Sequence, residues 1–430
     1  MAITWRAVVL VALGLVPVFL VPAPLVVLAW AALVVILCLL DVTLAASPRQ
    51  VAVRRSLPGS VRLTESTRST LTVTNRSPRR LRAVVRDAWQ PSAGAGANRH
   101  DVSLPPGESR RLVTPLRPTR RGDRSADRVT IRSFGPLRLA ARQVSIPVPG
   151  RLRVLPEFAS RRHLPSRLAR LRELDGRTAV QIRGAGTEFD SLREYVIGDD
   201  VRSIDWRATA RRSDVVVRTW RPERDRRVLM VLDTGRLAAG RIGDLPRIDA
   251  SIEAALLLAA LASRAGDRVD LIAYDRRVRT QVAGTSGPRL MPAVADALAP
   301  VEPALVETDW PGAVAAVRQR MSRRALVVLL TSLEPAAVES GLLPVVGPLA
   351  HEHTVVLASV ADPEVASLRR GRESAAAVFD AAAAERAELE RAAVTVRLRQ
   401  RGVEVVDALP DDLAPRLADT YLALKAAGRL

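Results

Sequence analysis

The N-terminal segment is almost entirely apolar. Residues 7–40 contain no charged side chain, and a run of this length exceeds the roughly 20 residues that one perpendicular helix needs to cross a bilayer. Pro22 and Pro24 fall near the middle of the run, and proline interrupts helices because it lacks a backbone N–H. We therefore predict that residues 1–45 form a transmembrane hairpin of two helices, at about 7–21 and 25–40.

Arginines lie on both sides of this apolar run, Arg6 before it and Arg49, Arg54 and Arg55 after it. Positive charge beside a membrane span favours the cytoplasmic side, so we expect a two-pass protein of the inner (cytoplasmic) membrane whose remaining domains face the cytoplasm. A single long tilted helix and a cleaved signal peptide are the alternatives. The run is longer than an ordinary signal peptide core and no clear cleavage site follows it, so the hairpin is favoured.

From residue 46 to residue 155, apolar and polar positions alternate in short runs. The alternation is clear in VAVRRSL, STLTVTN, LRAVVRDAW, SRRLVTPL and RVTIRSF. Turn-forming residues separate these runs, for example at 75–78, 105–107 and 121–123. Short strands at this spacing are typical of a small all-β, sandwich-like domain.

The C-terminal part, residues 226–430, alternates strands with helices. Short, continuously apolar runs of the kind that form buried parallel strands lie at 228–232, 269–274, 326–331 and 355–360. Helical stretches separate them, including 248–264 and a long one at 374–399. This rhythm predicts a doubly wound, mainly parallel α/β sheet. Residues 156–183, with leucines three and four positions apart, are predicted to be a helical connector.

Composition narrows the possible functions. The formal charge is +20, but the arginines are interspersed with acidic residues, whereas a nucleic-acid binder more often has a segregated basic face. We therefore expect no nucleic acid among the partners, and attraction to anionic lipid headgroups fits the charge at least as well. Cys38 is the only cysteine and Lys425 the only lysine, which excludes an intramolecular disulfide and a lysine-dependent phosphate-binding loop. No other catalytic motif occurs, so we predict a protein that is not an enzyme and has no cofactor.

Charged and aromatic residues are most densely combined in residues 184–225, which we call the signature segment. The positions that we single out as candidates for partner binding or for an interdomain clamp are Phe189, Asp190, Arg193, Tyr195, Gly198, Asp199, Asp200, Arg202, Asp205, Trp206, Arg207 and Arg211. Arginine and carboxylate side chains in such close order predict a lattice of ion pairs. The lattice is interpreted either as an internal clamp or as a docking face for a partner. A hydrolase that uses Asp199, Asp200 and Asp205 as acids is a less favoured alternative.

The signature segment resembles the domain-of-unknown-function 58 family. The resemblance rests on Glu188-Phe189-Asp190, Arg193-Glu194-Tyr195, Gly198-Asp199-Asp200, Arg202, Ile204-Asp205-Trp206 and Ala210-Arg211. It implies a von Willebrand factor A-like domain in the C-terminal part. It also implies partnership with a MoxR-type AAA+ ATPase and other A-domain membrane proteins in the assembly or maturation of protein complexes, or in envelope stress. The expected function is that of a membrane-anchored scaffold or adaptor.

A-type domains often bind Mg²⁺ through an Asp-x-Ser-x-Ser loop, a later threonine and a later acid. Here the resemblance places Asp233 in the first position, whereas Gly235 and Leu237 stand where the two serines belong. Thr308 is the candidate for the later threonine. Because two hydroxyl ligands are missing and Arg236 adds a positive charge inside the loop, we expect no metal, and a metal-dependent protein-binding A-domain is the alternative.

Overall fold

The computed structural model describes residues 2–181, 188–197, 199–211, 214–221 and 226–430. The chain divides into two compact units, Met1–Glu157 and Phe158–Leu430. The apolar N-terminal segment and the β-rich segment therefore lie in one unit. Hydrogen bonds between the apolar helices and the strands, described below, account for this union.

The first unit contains three apolar helices followed by two sheets. Its elements are β1 (Ala2–Ile3), α1 (Trp5–Leu13), α2 (Leu15–Leu20), α3 (Pro24–Leu44), β2 (Val51–Ser56), β3 (Ser60–Arg62), β4 (Thr67–Asn75), β5 (Leu81–Trp89), β6 (Arg99–Leu104), β7 (Ser109–Leu116), β8 (Gly122–Phe134) and β9 (Ala140–Leu155). One sheet has the order β1-β9-β8-β5-β6, with β3 also paired to β9, and the other has the order β2-β4-β7.

The two sheets bury a common apolar core, as the alternation predicts. Leu71 and Val73 of β4 are fully buried against Val85 of β5 and Val129 and Ile131 of β8. These residues occupy alternate positions along their strands, so each strand turns one row of side chains towards the core and the other row away from it.

The apolar segment differs from the predicted pair of unbroken helices. The first arm is divided at Gly14 into α1 and α2, and the second arm extends to Leu44. By length and composition, one described helical stretch, Pro24–Gln50, qualifies as a membrane span, with mean hydropathy 2.9, whereas Trp5–Leu20 is a shorter apolar helix. The indole Nε1 of Trp30 donates to the Leu10 carbonyl at 3.1 Å, so the first arm lies beside α3.

The second unit contains an α/β sheet preceded by a hairpin. Its elements are α4 (Leu164–Gln181), β10 (Glu188–Glu194), α5 (Trp206–Thr209), β11 (Val216–Arg221), β12 (Arg227–Asp233), β13 (Arg241–Ile242), β14 (Leu245–Pro246), α6 (Arg247–Arg264), β15 (Arg268–Tyr274), β16 (Val278–Val282), α7 (Leu290–Leu298), α8 (Trp310–Arg320), β17 (Leu326–Leu330), α9 (Pro335–Ala337), α10 (Leu343–Glu352), β18 (Thr354–Val360), α11 (Pro363–Leu368), α12 (Ala375–Gln400), β19 (Val403–Ala408) and α13 (Pro410–Ala426).

The main sheet of this unit has the strand order β16-β15-β12-β17-β18-β19. All neighbouring pairs are parallel except β15 and β16, so the sheet is mainly parallel, as the rhythm predicts. Its first strand, β12, lies inside the sheet, and later strands are added on both sides of it. Side chains at the carboxyl ends of β12 and β17 therefore lie close together, at the place where open α/β sheets bind ligands.

Candidate functional site

The signature segment forms an antiparallel hairpin. Strands β10 and β11 pair from Glu188 with Arg221 to Glu194 with Val216, with an irregularity between Phe189 and Ser191. The connection between the strands carries most of the predicted residues. Gly198 lies outside the described residues, and so do the side chains of Phe189 and Asp190.

Asp205 closes the connection onto β11. Its Oδ1 accepts hydrogen bonds from the backbone N–H groups of Arg207 and Ala208, both at 3.0 Å, and so caps α5. Its Oδ2 accepts from Arg218 Nε at 2.8 Å. The Arg218 hydrogen bond, followed by the bond from Ala208, holds the pKa of Asp205 below its ordinary value. A carboxylate held in the ionised form is poorly suited to act as a general acid.

Two of the other acids of the connection, Asp199 and Asp200, are also engaged within the segment. Asp199 accepts from Arg193 Nη2 at 2.6 Å and from the backbone N–H of Val196 at 3.0 Å. Asp200 accepts from the backbone N–H of Arg202 at 2.9 Å and caps a short turn. Among the residues described, the predicted lattice is therefore a set of ion pairs and hydrogen bonds within the segment, and these contacts shape the connection.

Several apolar side chains of the same connection face solvent. Trp206, one of the candidate positions for partner binding or an interdomain clamp, is 67 % exposed at the start of the one-turn helix α5, and Ile197 is 96 % exposed. Val196 and Val201 are exposed as well. These four side chains lie within one short connection, and contiguous exposed apolar patches mark interaction sites. We call the side chains of Val196, Ile197, Val201 and Trp206 the apolar tip.

Arginines share the connection with the apolar tip. Arg202, Arg207 and Arg211 are exposed, and none forms a side-chain ion pair with a residue that the structure describes. Tyr195 is half-buried and its backbone N–H donates to the Val215 carbonyl at 2.8 Å. The connection thus exposes apolar and basic side chains. Asp199 and Asp205 are partly buried in ion pairs, whereas Asp200 and Asp214 are exposed.

The second candidate site lies at the carboxyl end of β12. Asp233 is buried, and Thr308 Oγ1 donates to its Oδ1 at 2.5 Å while Thr331 Oγ1 donates to its Oδ2 at 2.6 Å. The backbone N–H of Gly235 donates to Oδ1 at 2.8 Å. Burial raises the pKa of Asp233 above the ordinary carboxyl value. The predicted pair, Asp233 and Thr308, is brought together, and Thr331 completes the cluster.

The groups around Asp233 do not fit a divalent ion. Both carboxylate oxygens already accept hydrogen bonds, and a β-carbon added at Gly235 would lie 2.2 Å from Thr308 Oγ1, so the threonine hydroxyl fills the space of a side chain there. The nearby Asp275 is paired with Arg279. Among the described residues, no group of three or more His, Cys, Asp and Glu side chains could hold a metal. Mg²⁺ prefers near-octahedral oxygen coordination, which this arrangement does not offer.

Sequence reasoning missed Arg218 and Thr331 as partners of the two key aspartates. Arg218 lies thirteen positions after Asp205, on a strand whose pairing brings it back to the connection. Thr331 follows β17, and the parallel pairing of β12 with β17 places the two strand ends side by side. A search for hydroxyl residues at the end of each predicted parallel strand could have found Thr331, the last residue of the strand predicted at 326–331.

Comparisons with known proteins give a match to one family model, whose function is not described. Residues 191–404 match the family described as "Protein of unknown function DUF58". The chain is 28% identical over 152 residues to "Uncharacterized protein Rv1480" of Mycobacterium tuberculosis (strain ATCC 25618 / H37Rv) and, equally, to "Uncharacterized protein Mb1516" of Mycobacterium bovis (strain ATCC BAA-935 / AF2122/97), covering 35% of this chain and 48% of each relative. It thus spans about half the length of these relatives.

Solved structures add no argument about the fold. The native conformation of Escherichia coli alpha-2-macroglobulin is 19% identical and has a TM-score of 0.20, covering 25% of this chain and 7% of that one. The complex of zinc 2-glycoprotein and prolactin inducible protein from human seminal plasma is 13% identical with a TM-score of 0.20, covering 24% of this chain and 92% of that one. What the comparisons show is that residues 191–404, just under half of this chain, match the family described as Protein of unknown function DUF58.

Proposed function

We propose that this protein is a membrane-anchored, non-enzymatic adaptor that binds protein partners through its signature segment. The partners proposed are a MoxR-type AAA+ ATPase and other A-domain membrane proteins, with roles in complex assembly, maturation or envelope stress. The observation that carries this proposal is the exposed apolar tip, held in shape by acids that bond within the segment. An adaptor needs a preformed, partly apolar surface rather than a catalytic group.

The anatomy of the tip matches that of protein interfaces. Interface hot spots are enriched in tryptophan and arginine, and the connection presents Trp206 beside Arg202 and Arg207. The ion pairs and hydrogen bonds of Asp199 and Asp205 hold the connection in one conformation before a partner binds. This order reduces the conformational entropy lost on binding. These ion pairs join residues of the segment itself, rather than the segment and a neighbouring domain as an interdomain clamp would, and we propose that they support the docking face.

We further propose that the α/β sheet belongs to a metal-free domain of the von Willebrand factor A-like type. Its central first strand ends at Asp233, the position that the family resemblance assigns to the metal-binding loop. The threonine donors around Asp233 support a version in which hydrogen bonds replace the ion. Partner binding should consequently not depend on Mg²⁺.

The membrane topology that we propose is a two-pass hairpin with both ends in the cytoplasm. Strand β1 pairs antiparallel with β9, Ala2 with Ala141 and Ile3 with Ala140. The end of α3 is bonded to the same stretch of chain, because Asp41 accepts from the Leu139 backbone N–H at 2.7 Å. Two helix ends held by one loop favour placing both on one side of a bilayer. The first arm, about 24 Å long at 1.5 Å per residue, then requires a locally thinned bilayer.

Cysteine labelling tests this topology. In a Cys38→Ser background, Ile3→Cys and Glu108→Cys should react with a membrane-impermeant maleimide in inverted vesicles and not in intact cells. Pro22→Cys, between the two arms, should show the opposite pattern. Labelling of position 3 from outside the cell, or loss of the N-terminal residues from the mature protein, would exclude the hairpin.

Crosslinking capture from native membranes tests the adaptor function. We expect the tagged protein to recover a AAA+ ATPase, and Trp206→Ala to reduce the recovery at least about tenfold, since hot-spot tryptophans contribute about 2 kcal/mol or more. The adaptor is first treated with a chelator of Mg²⁺, and the ATPase is then added together with its nucleotide and metal. This treatment of the adaptor should not change the crosslinked yield. Phe379→Ala, an exposed aromatic on α12, is the matched control and should leave the yield unchanged.

The same capture can contradict the proposal in two ways. If no ATPase is recovered in any sample, the proposed partner is wrong. If Trp206→Ala and Ile197→Ala recover as much partner as the unmodified protein, the apolar tip is not the docking face.

A further inference from the structure

A cleft of about 400 Å³ opens beside β19, the last strand of the main sheet. Its floor is the middle of β19, from Val405 to Asp407, and its walls are formed by α12 and α13. Each wall contributes one arginine and one threonine, Arg399 with Thr395 and Arg416 with Thr420. The cleft is in the second unit, and its residues take no part in the signature segment or in the Asp233 cluster.

The floor of the cleft is an open sheet edge. Strand β19 pairs with β18 in an unbroken parallel register, from Val355 with Val403 to Val360 with Ala408. No described strand pairs with its other side. Proteins usually protect such edges with proline, a bulge or charged side chains, especially lysine. Strand β19 has no proline, lysine or bulge over its six residues, and its two acids, Glu404 and Asp407, are engaged by Arg429 and Arg391. Its outer edge can therefore accept another strand.

The two acids that line the cleft are already neutralised. Asp407 accepts a hydrogen bond from Arg391 Nη2 at 2.7 Å, and Asp419 accepts one from Arg167 Nη2 at 3.0 Å. Arg170 adds a second, longer contact with Asp419 at 3.7 Å. The arginines outside the cleft thus cancel the negative charge inside it.

The two arginines of the walls have no such partner. Arg399 and Arg416 are exposed, and within the described ranges neither forms an ion pair with a carboxylate. The cleft therefore has an excess of positive charge next to an open backbone edge. This combination suits an extended polypeptide with acidic side chains, because the edge bonds to the backbone and the arginines bind carboxylates.

The alternation of a strand indicates which acidic pattern fits. Val403 and Val405 pack with Val394 and Leu398 of α12, so Val406 faces the opposite side of the sheet, where α13 packs on β19. A strand added to the edge would alternate in the same way. Acidic residues at two consecutive positions would consequently point one to the side of Arg399 and the other to the side of Arg416.

We propose that this cleft binds an extended acidic segment of a partner protein, which adds to β19 as a further strand. A second copy of this chain is a poorer occupant. The acids that its own β19 would bring are Glu404, paired with Arg429 at 2.8 Å, and Asp407, paired with Arg391. The proposal is independent of the docking face in the signature segment.

Fluorescence anisotropy with the full-length protein in detergent micelles tests this proposal. The probe is a labelled eight-residue peptide with a central Glu-Asp pair flanked by valine and threonine. We expect saturable binding, weakened at least about tenfold in the Arg399→Glu/Arg416→Glu variant, because a tenfold change needs about 1.4 kcal/mol and charge reversal replaces attraction by repulsion. Arg386→Glu, about 20 Å further along α12, is the control and should bind as tightly as the unmodified protein.

Two comparison peptides separate strand addition from simple charge attraction. A peptide with proline at alternate positions keeps its acids but cannot form the backbone ladder, and one with Lys-Lys at its centre reverses the charge. Neither should bind, and only the original peptide should slow amide hydrogen exchange in residues 403–408. Because both arginines are exposed, the double variant should unfold at an unchanged temperature.

The proposal is overturned by any of three results. These are the absence of saturable binding, equal binding of the proline peptide, and self-association of the protein through β19 that the acidic peptide cannot displace. The last result would make a second copy the occupant of the edge. The capture of an ATPase through Trp206 would be unaffected by all three.

Discussion

Replacing Asp41 by alanine is expected to lower the free energy of unfolding of the first unit by at least about 3 kcal/mol. Asp41 is fully buried in the last turn of α3. Its carboxylate accepts from the backbone N–H groups of Leu137 at 2.8 Å, Leu139 at 2.7 Å and Ala140 at 3.1 Å. Alanine would leave these donors unbonded, and each buried donor without a partner costs about 1–3 kcal/mol.

Hydrogen exchange of the full chain in detergent micelles measures this effect. The amides of residues 137–140 should exchange faster in Asp41→Ala, and the thermal midpoint should fall. Gly135→Ala should act in the same direction, because a β-carbon there would lie 2.1 Å from Asp41 oxygens. Thr43→Ala is the control, since the Thr43 hydroxyl donates to the Leu40 carbonyl of its own helix at 2.8 Å. Equal midpoints for Asp41→Ala and Thr43→Ala would refute the prediction.

This junction couples the apolar helices to the β-rich part of the unit. The backbone N–H of Thr4 donates to the Leu139 carbonyl at 3.1 Å, so both ends of the apolar segment meet one loop. If Asp41→Ala loosens the loop, labelling of position 3 should become less uniform while the helices still insert. The labelling pattern therefore distinguishes a loosened junction from a failure of the helices to insert into the membrane.

Replacing Asp87 by alanine is expected to cost about 3–5 kcal/mol of stability in the same unit, the range for breaking a buried ion pair from one side. Arg55 Nη1 lies 2.8 Å from Asp87 Oδ1, and both side chains are almost completely buried. Asp87 Oδ2 also accepts from Ser69 Oγ at 3.1 Å and from Trp89 Nε1 at 3.0 Å. Without Asp87, the Arg55 charge would remain in the core without a counter-charge.

Calorimetry of the full chain in micelles, with hydrogen exchange to locate the loss in β4 and β5, checks this prediction. Asp123→Ala is the matched control, because Asp123 pairs with the largely exposed Arg151 and with Arg153, and a pair open to solvent contributes about 1 kcal/mol or less. An Arg55→Met/Asp87→Leu double variant should regain much of the lost stability by removing both charges. If Asp87→Ala is as stable as Asp123→Ala, the buried ion pair is not needed for the stability of the unit.

Local pattern was sufficient for the elements of regular structure. The alanine- and leucine-rich run at 248–264 is observed as the helix Arg247–Arg264, and the long helix predicted at 374–399 is observed at Ala375–Gln400. These elements follow from the periodicity of neighbouring side chains, which the sequence contains. The first apolar arm was predicted less well. It breaks at Gly14, three residues before Pro17, which has no N–H to donate to the Leu13 carbonyl, and Gly14 lies against Trp30, where a β-carbon would approach the indole to 2.4 Å.

The sequence by itself determined that the chain has an apolar N-terminal segment, a β-rich region, a signature segment of charged and aromatic residues, and an α/β region. Only the tertiary structure decided how the decisive side chains are used. It turned Asp205 inwards to Arg218 and Trp206 outwards to solvent, although the two residues are adjacent. It also joined Asp41 to a loop 96 positions away. The hydrogen-bond partner and the solvent exposure of a side chain depend on strand pairing and on packing between segments distant in sequence. No local pattern encodes how close such segments come in the folded chain.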